Sequence, residues 1–94
     1  MLRGNATPDT VYSAKNVWEQ LGRELKCRRI ACGFSVREIE QRSGVSYRTL
    51  YAYENSEHNG GIRLDKLVAL CQAMLCDPVE LLTDSFRSAR YEDE

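Results

Sequence analysis

Phe34-Ser35-Val36-Arg37-Glu38-Ile39-Glu40-Gln41-Arg42-Ser43-Gly44-Val45-Ser46-Tyr47-Arg48-Thr49-Leu50-Tyr51-Ala52-Tyr53-Glu54 is the stretch that decides the fold. Ser35 and Glu38 have the S-x-x-E form of a capping box, in which the serine oxygen takes a first-turn N–H and the glutamate reaches back to the cap. A helix is therefore predicted from about Ser35. Ser43-Gly44 ends it, because glycine takes the left-handed conformation that lets a chain leave one helix and turn sharply. Ser46 then serves as the N-cap of a second helix running to about Asn55. Two helices joined by a short turn containing glycine form a helix-turn-helix, whose second helix enters the major groove. The stretch points to sequence-specific DNA binding.

Upstream, Val17, Leu21, Leu25 and Cys32 recur at helical spacing, which predicts a first helix from about Asn16, its N-cap, to Cys32. Gly33 is its expected left-handed C-cap, and Phe34 is expected to plug the core. The helix from Ser35 to Ser43 offers only Val36 and Ile39 as apolar contacts, so its neighbours must hold it. In the next helix Leu50 and Tyr53 are read as buried, leaving Tyr47, Arg48, Tyr51, Ala52 and Asn55 outward. Flat aromatic rings and fork-shaped donors suit base edges, thymine methyls and phosphates.

Ser56 to Gly61 read as a loop. His58, the sole histidine, is solvated or phosphate-contacting there rather than a ligand or base. A fourth helix is expected from about Arg63 to Leu75, with Leu64, Leu67, Leu70, Cys71 and Met74 on one buried stripe. Asp77-Pro78-Val79-Glu80 restarts a short fifth helix, with Asp77 as cap, Pro78 at its first position and Glu80 three residues on. The expected organisation is all-α: a loose arm over 1–15, a helix-turn-helix domain over 16–84 and an acidic tail over 85–94. The arm carries Arg3 and Lys15, which would suit a minor groove, although plain disorder is the simpler reading.

The chain has 94 residues, enough for one helical core but not for a cleft between two lobes. No spacing assembles a nucleophile, a base and an orienting group, so neither catalysis nor a cofactor is expected. No apolar run approaches the roughly 20 residues of a membrane helix, and no signal peptide is evident, which places the protein in the cytoplasm. The net charge is −1, yet residues 17–55 hold seven Lys/Arg against five acids, and residues 56–94 four against eight. A mildly basic front and an acidic back support a DNA partner only weakly. The four cysteines form two C-x4-C pairs, Cys27/Cys32 and Cys71/Cys76. Inside helices a five-residue step turns the sulfurs apart by about 140°, so they read as buried or half-buried thiols, with no metal.

With these residues in place, the chain resembles the Cro/C1-type (XRE-like) helix-turn-helix regulators over about Leu21 to Leu82. Leu21-Gly22, Leu25, Arg29 four residues before Gly33, Ile39, Gly44-Val45, Leu50, Glu54-Asn55 and the Asp-Pro-Val-Glu-Leu-Leu restart carry the resemblance. It implies a compact five-helix, lambda-repressor-like domain. It also implies that Arg29 and Glu54 bridge helix 1 to the end of helix 3. Ser46, Tyr47, Arg48 and Tyr51 match positions that face the major groove, and Arg63 and the Asn59 loop match a backbone-contacting segment. Ser35 at the start of helix 2 and Asn55 complete the set of expected DNA-binding residues. Val36 departs from the family's usual glutamine and cannot donate a hydrogen bond, so Arg37 becomes the expected phosphate ligand. Glu40 stands where a small residue is usual, and a partner in Arg48 or Arg28 is expected for it.

The leading expectation is a bacterial or phage regulator, a repressor, that binds double-stranded DNA as a homodimer. Exposed Leu82 and Phe86 mark helix 5 with the C-terminal tail as the expected dimer surface. Two alternatives stay open: the same fold used as a protein-interaction module through its tyrosine face, and a thiol-based redox-sensing regulator.

Overall fold

The computed structural model describes residues 12–57 and 61–90. These form α1 (Ala14–Cys32), α2 (Val36–Ser43), α3 (Tyr47–Glu54), α4 (Leu64–Ala73) and α5 (Pro78–Ala89), with no strand among the described residues. The arm over residues 1–11, His58, Asn59 and the last four residues lie outside this set.

The first helix begins earlier than its sequence predicts. Ser13, not Asn16, is the N-cap, and the Asn16 backbone N–H donates to Ser13 Oγ at 3.1 Å. Both residues are good caps. The helix extends upstream because Ala14 and Lys15 are good helix formers and Ser13 can still satisfy an orphan first-turn donor. Lys15 therefore belongs to a helix, 3.8 Å from Glu19, rather than to an arm. At the other end Gly33 sits at φ 81°, with its N–H bonded to Ile30 and that of Phe34 to Arg29. This paired pattern is the Schellman closure.

The fourth helix closes with the same two bonds, Leu75 to Gln72 and Cys76 to Cys71. Here, however, a leucine occupies the left-handed position, at φ 56° and 84% exposed. A side chain in that conformation costs about 1–2 kcal/mol, whereas glycine's extra unfolded-state freedom costs only about 0.4–1. Leu75→Gly is expected to stabilise the fold by about 0.5–1 kcal/mol, read as a higher denaturant midpoint at unchanged slope. A lower midpoint would show that the leucine makes contacts worth more than its strain.

This closure also revises the reading of the cysteines. The helix ends at Ala73, so Cys76 is carried back toward Cys71, its backbone N–H donating to the Cys71 carbonyl at 2.9 Å, and the pair does not sit on two faces of one helix. Burial first, then Cys76, pushes the Cys71 thiol up to about 12. Cys27 and Cys32 are exposed, not buried; Cys32 sits at the end of α1 and its thiol donates to the Met74 carbonyl at 3.1 Å.

One core holds the helices together: Leu21 and Leu25 of α1, Ile39 of α2, Val45 of the turn, Leu50 and Tyr53 of α3, Leu67, Leu70 and Cys71 of α4, Ala73, Met74 and Leu81. Phe34, Val36, Ile62 and Leu82 pack against its edge. Leu64, expected on the buried stripe of α4, is 68% exposed because it is the first residue of the helix, ahead of the turns that carry the buried Leu67, Leu70 and Cys71. Helix α5 reaches Ala89, past the expected domain end at residue 84, because Ser85 and Ala89 are buried. Ser85 remains satisfied by donating to the Leu81 carbonyl at 2.7 Å. Arg28 fastens α5 to α1, at 2.6 Å from Asp84, 3.3 Å from Glu24 and 3.8 Å from Glu80.

Candidate nucleic-acid interface

The interface is built on α2, the turn over Ser43 to Ser46, and α3. Ser35 Oγ accepts from the Glu38 N–H at 3.1 Å while Glu38 accepts from the Ser35 N–H at 2.7 Å, so both halves of the capping box form. Gly44 lies at φ 78° and donates to the Glu40 carbonyl, and Ser43 Oγ accepts from the Val45 N–H. This turn drives Val45 into the core, where it is 5% exposed. Only Ile39 of α2 is fully buried, and the helix gains a further hold where Arg42 Nε donates to the Ala73 carbonyl of α4 at 2.8 Å.

Helix α3 is capped from two sides. Ser46 Oγ accepts from the Arg48 N–H at 3.1 Å, and Glu40 Oε2 accepts from the Tyr47 N–H at 3.1 Å. Glu40 thus pairs with neither Arg48 nor Arg28. Its carboxylate satisfies an orphan donor at the positive end of α3, where a negative charge is favourable. Sequence patterning missed this role because it depends on the angle between α2 and α3 and not on spacing.

The far end of α3 is tied to α1. Arg29 Nε and Nη2 donate to the two Glu54 carboxylate oxygens at 2.7 and 2.9 Å, and Arg29 Nη1 donates to the Phe34 carbonyl at 2.9 Å. The Glu54 side chain is 2% exposed and that of Arg29 13%. The Glu54 carboxylate holds the Arg29 guanidinium above its ordinary range. Beside this bridge, Gly22 lets α1 meet α3 directly: a Cβ there would overlap the Tyr53 carbonyl oxygen, with the carbonyl carbon 3.2 Å away. A glycine in mid-helix is the sequence signal for such contact, since it costs about 1 kcal/mol against alanine unless packing requires it.

These inward ties leave the opposite face of α3 free. Tyr51 is 57% exposed, Arg48 and Asn55 are exposed, and Tyr47 is half-buried. Arg37 of α2 stacks on the Tyr47 ring with its guanidinium carbon 3.7 Å from the centroid. Arg48 Nε donates to Tyr47 Oη at 3.3 Å, and this bond, followed by the charges of Arg48 and Arg37, draws the Tyr47 phenol below its usual value. The structure therefore brings Arg37, Ser46, Tyr47 and Arg48 together, with Tyr51 one turn on. Asn55 caps the helix, donating from Nδ2 to the Tyr51 carbonyl at 2.8 Å. Ser35 spends its hydroxyl on the capping box, and Arg63 forms an exposed two-point pair with Asp65, at 3.0 and 3.1 Å.

A family model described as a helix-turn-helix domain matches residues 20–83, from within α1 through α2, α3 and α4 into α5. The chain belongs to the helix-turn-helix family. Two solved structures share the architecture of this helix-turn-helix domain. The restriction-modification controller protein C.AhdI from Aeromonas hydrophila aligns at 25% identity and TM-score 0.63, over 68% of this chain and 94% of that one. The clp gene regulator ClgR from C. glutamicum aligns at 24% identity and TM-score 0.72, over 81% and 96% of the respective chains. No curated protein sequence matches this one. The helix-turn-helix match agrees with the resemblance read from the sequence, and both neighbours share its all-α fold. Among the described residues, no helix is long and apolar enough to cross a membrane, and no cluster of three metal-ligating side chains forms.

Proposed function

We propose that this helix-turn-helix domain is a DNA-binding transcriptional regulator that lays α3 in the major groove and acts as a homodimer. The observation that carries the reading is the division of α3. Leu50, Tyr53 and Glu54 fix the helix from within, while Arg48, Tyr51 and Asn55 stand outward and Tyr47 gathers a second arginine. Family membership supports DNA binding, and C.AhdI is a controller protein, which supports a regulatory role. A bacterial or phage repressor working in the cytoplasm is the finer reading that the Cro/C1-type resemblance supports. The second copy would dock on α5 along Val79, Leu82 and Phe86, where the Phe86 ring meets Tyr12 edge-on at 5.2 Å between centroids.

Selection of bound duplexes from a random pool tests the reading. Enrichment of an inverted repeat supports recognition and dimerisation together, because each domain reads only a few base pairs. Enrichment of a lone half-site removes the dimer, and no enrichment gives the tyrosine-bearing face to a protein partner. On a selected site Arg48→Ala is expected to cost about 1–3 kcal/mol of binding and to relax preference at one position. Unchanged binding would remove Arg48 from the interface.

A further inference from the structure

We infer that Tyr47 is a positioning residue through which Arg37 of α2 and Arg48 of α3 act as one unit on duplex DNA, with Tyr47 itself reading no base. The inference rests on the DNA-binding reading above. Its basis is the use each arginine makes of the same ring. Arg37 lies on the ring face, its guanidinium carbon 3.7 Å from the centroid, and no hydrogen bond or ion pair to another described residue occupies its N–H groups. Stacking engages the π face of a guanidinium and leaves its in-plane donors available for a phosphate.

Arg48 is held differently. Its guanidinium carbon is 5.8 Å from the centroid, and its Nε is committed to Tyr47 Oη at 3.3 Å. With Nε occupied, the two terminal amino groups form the remaining donor edge, which is the fork that matches paired acceptors such as guanine O6 and N7. One ring therefore turns one arginine toward the backbone and limits the other to a single edge. Tyr47 is in turn fixed at its own backbone, where Glu40 Oε2 accepts its N–H at 3.1 Å. The arrangement accounts for the departures in α2: Val36 contributes no donor, and Arg37, steadied across the turn, supplies it.

The test is a set of affinities for a selected duplex. Tyr47→Leu in the wild-type background is expected to weaken binding roughly five-fold, the order of an exposed cation–π contact. In the background of Arg37→Gln with Arg48→Gln, the same substitution is expected to change affinity less than about two-fold, because the groups it positions are gone. Tyr47→Phe keeps the ring and should preserve the coupling to Arg37 while losing the coupling to Arg48. An equal loss from Tyr47→Leu in both backgrounds, with altered base preference, would make Tyr47 a direct reader and overturn the inference. A DNA-free measurement separates this from failure of the DNA reading. In an NMR titration of the free protein, Arg48→Gln should raise the Tyr47 phenol toward its ordinary value. An unmoved titration overturns the assembly, and a wild type that binds no duplex overturns the DNA reading on which it rests.

Discussion

Arg29→Met is expected to lower the stability of the domain by about 3–5 kcal/mol, measured by denaturant unfolding. The reason is what the substitution leaves behind. Glu54, with a side chain only 2% exposed, loses both of its guanidinium donors and becomes a buried carboxylate without its partner. The Phe34 carbonyl loses the third donor of the same group, at the point where the chain enters α2. Domains of this size are stable by about 5–15 kcal/mol, so such a loss consumes a large share. Adding Glu54→Leu to Arg29→Met should recover most of the loss, because replacing both members of a buried pair by apolar groups is often close to neutral. A single-variant loss below about 1 kcal/mol would mean that the bridge contributes geometry and no more.

Gly22→Ala is expected to cost about 3 kcal/mol, measured in the same way, although alanine is the better helix former by about 1. Its methyl group would overlap the Tyr53 carbonyl oxygen, a backbone atom that no rotamer change can withdraw. Relief requires α1 and the end of α3 to separate, which also stretches the Arg29 to Glu54 bridge. On the proposed reading, DNA affinity should therefore fall together with stability, whereas in Arg48→Ala binding alone is expected to fall. A stabilised Gly22→Ala protein would refute the close approach.

What the sequence disclosed follows the range of the interactions involved. The Ser35 and Glu38 capping box and the glycine turns at Gly33 and Gly44 are settled within four residues, and the pattern alone places them. Leu21, Leu25, Ile39, Leu50 and Tyr53 are legible through periodicity because each has a neighbour on the same face. The misreadings concern choices made by a distant partner or between adjacent candidates. Ser13 and Asn16 are both residue types that cap helices, so the Asn16 cap read from the sequence gave way to Ser13. Glu40 binds the Tyr47 N–H across the turn rather than an arginine, and Leu64 stands exposed at the first position of α4. Cys71 and Cys76 met because α4 stops at Ala73, a boundary set by a leucine where patterning looks for glycine. In the candidate interface, outward orientation was legible from the helical period, but the stacking of Arg37 on Tyr47 was not, since it joins two helices.

The division of α3 has a consequence for how such a protein changes over generations. The residues that hold the helix at its angle, Gly22, Arg29, Leu50, Tyr53 and Glu54, are all distinct from Arg48 and Tyr51, which stand clear of the core. Exposed positions of this kind usually shift stability by less than about 0.5 kcal/mol when exchanged. On the proposed DNA-binding reading, the domain can therefore drift toward a new target at Arg48 and Tyr51 without passing through unstable ancestors. Tyr47 is the exception, because replacing it disturbs two helices at once. Lineages that alter it should carry compensating changes at positions 37 and 48.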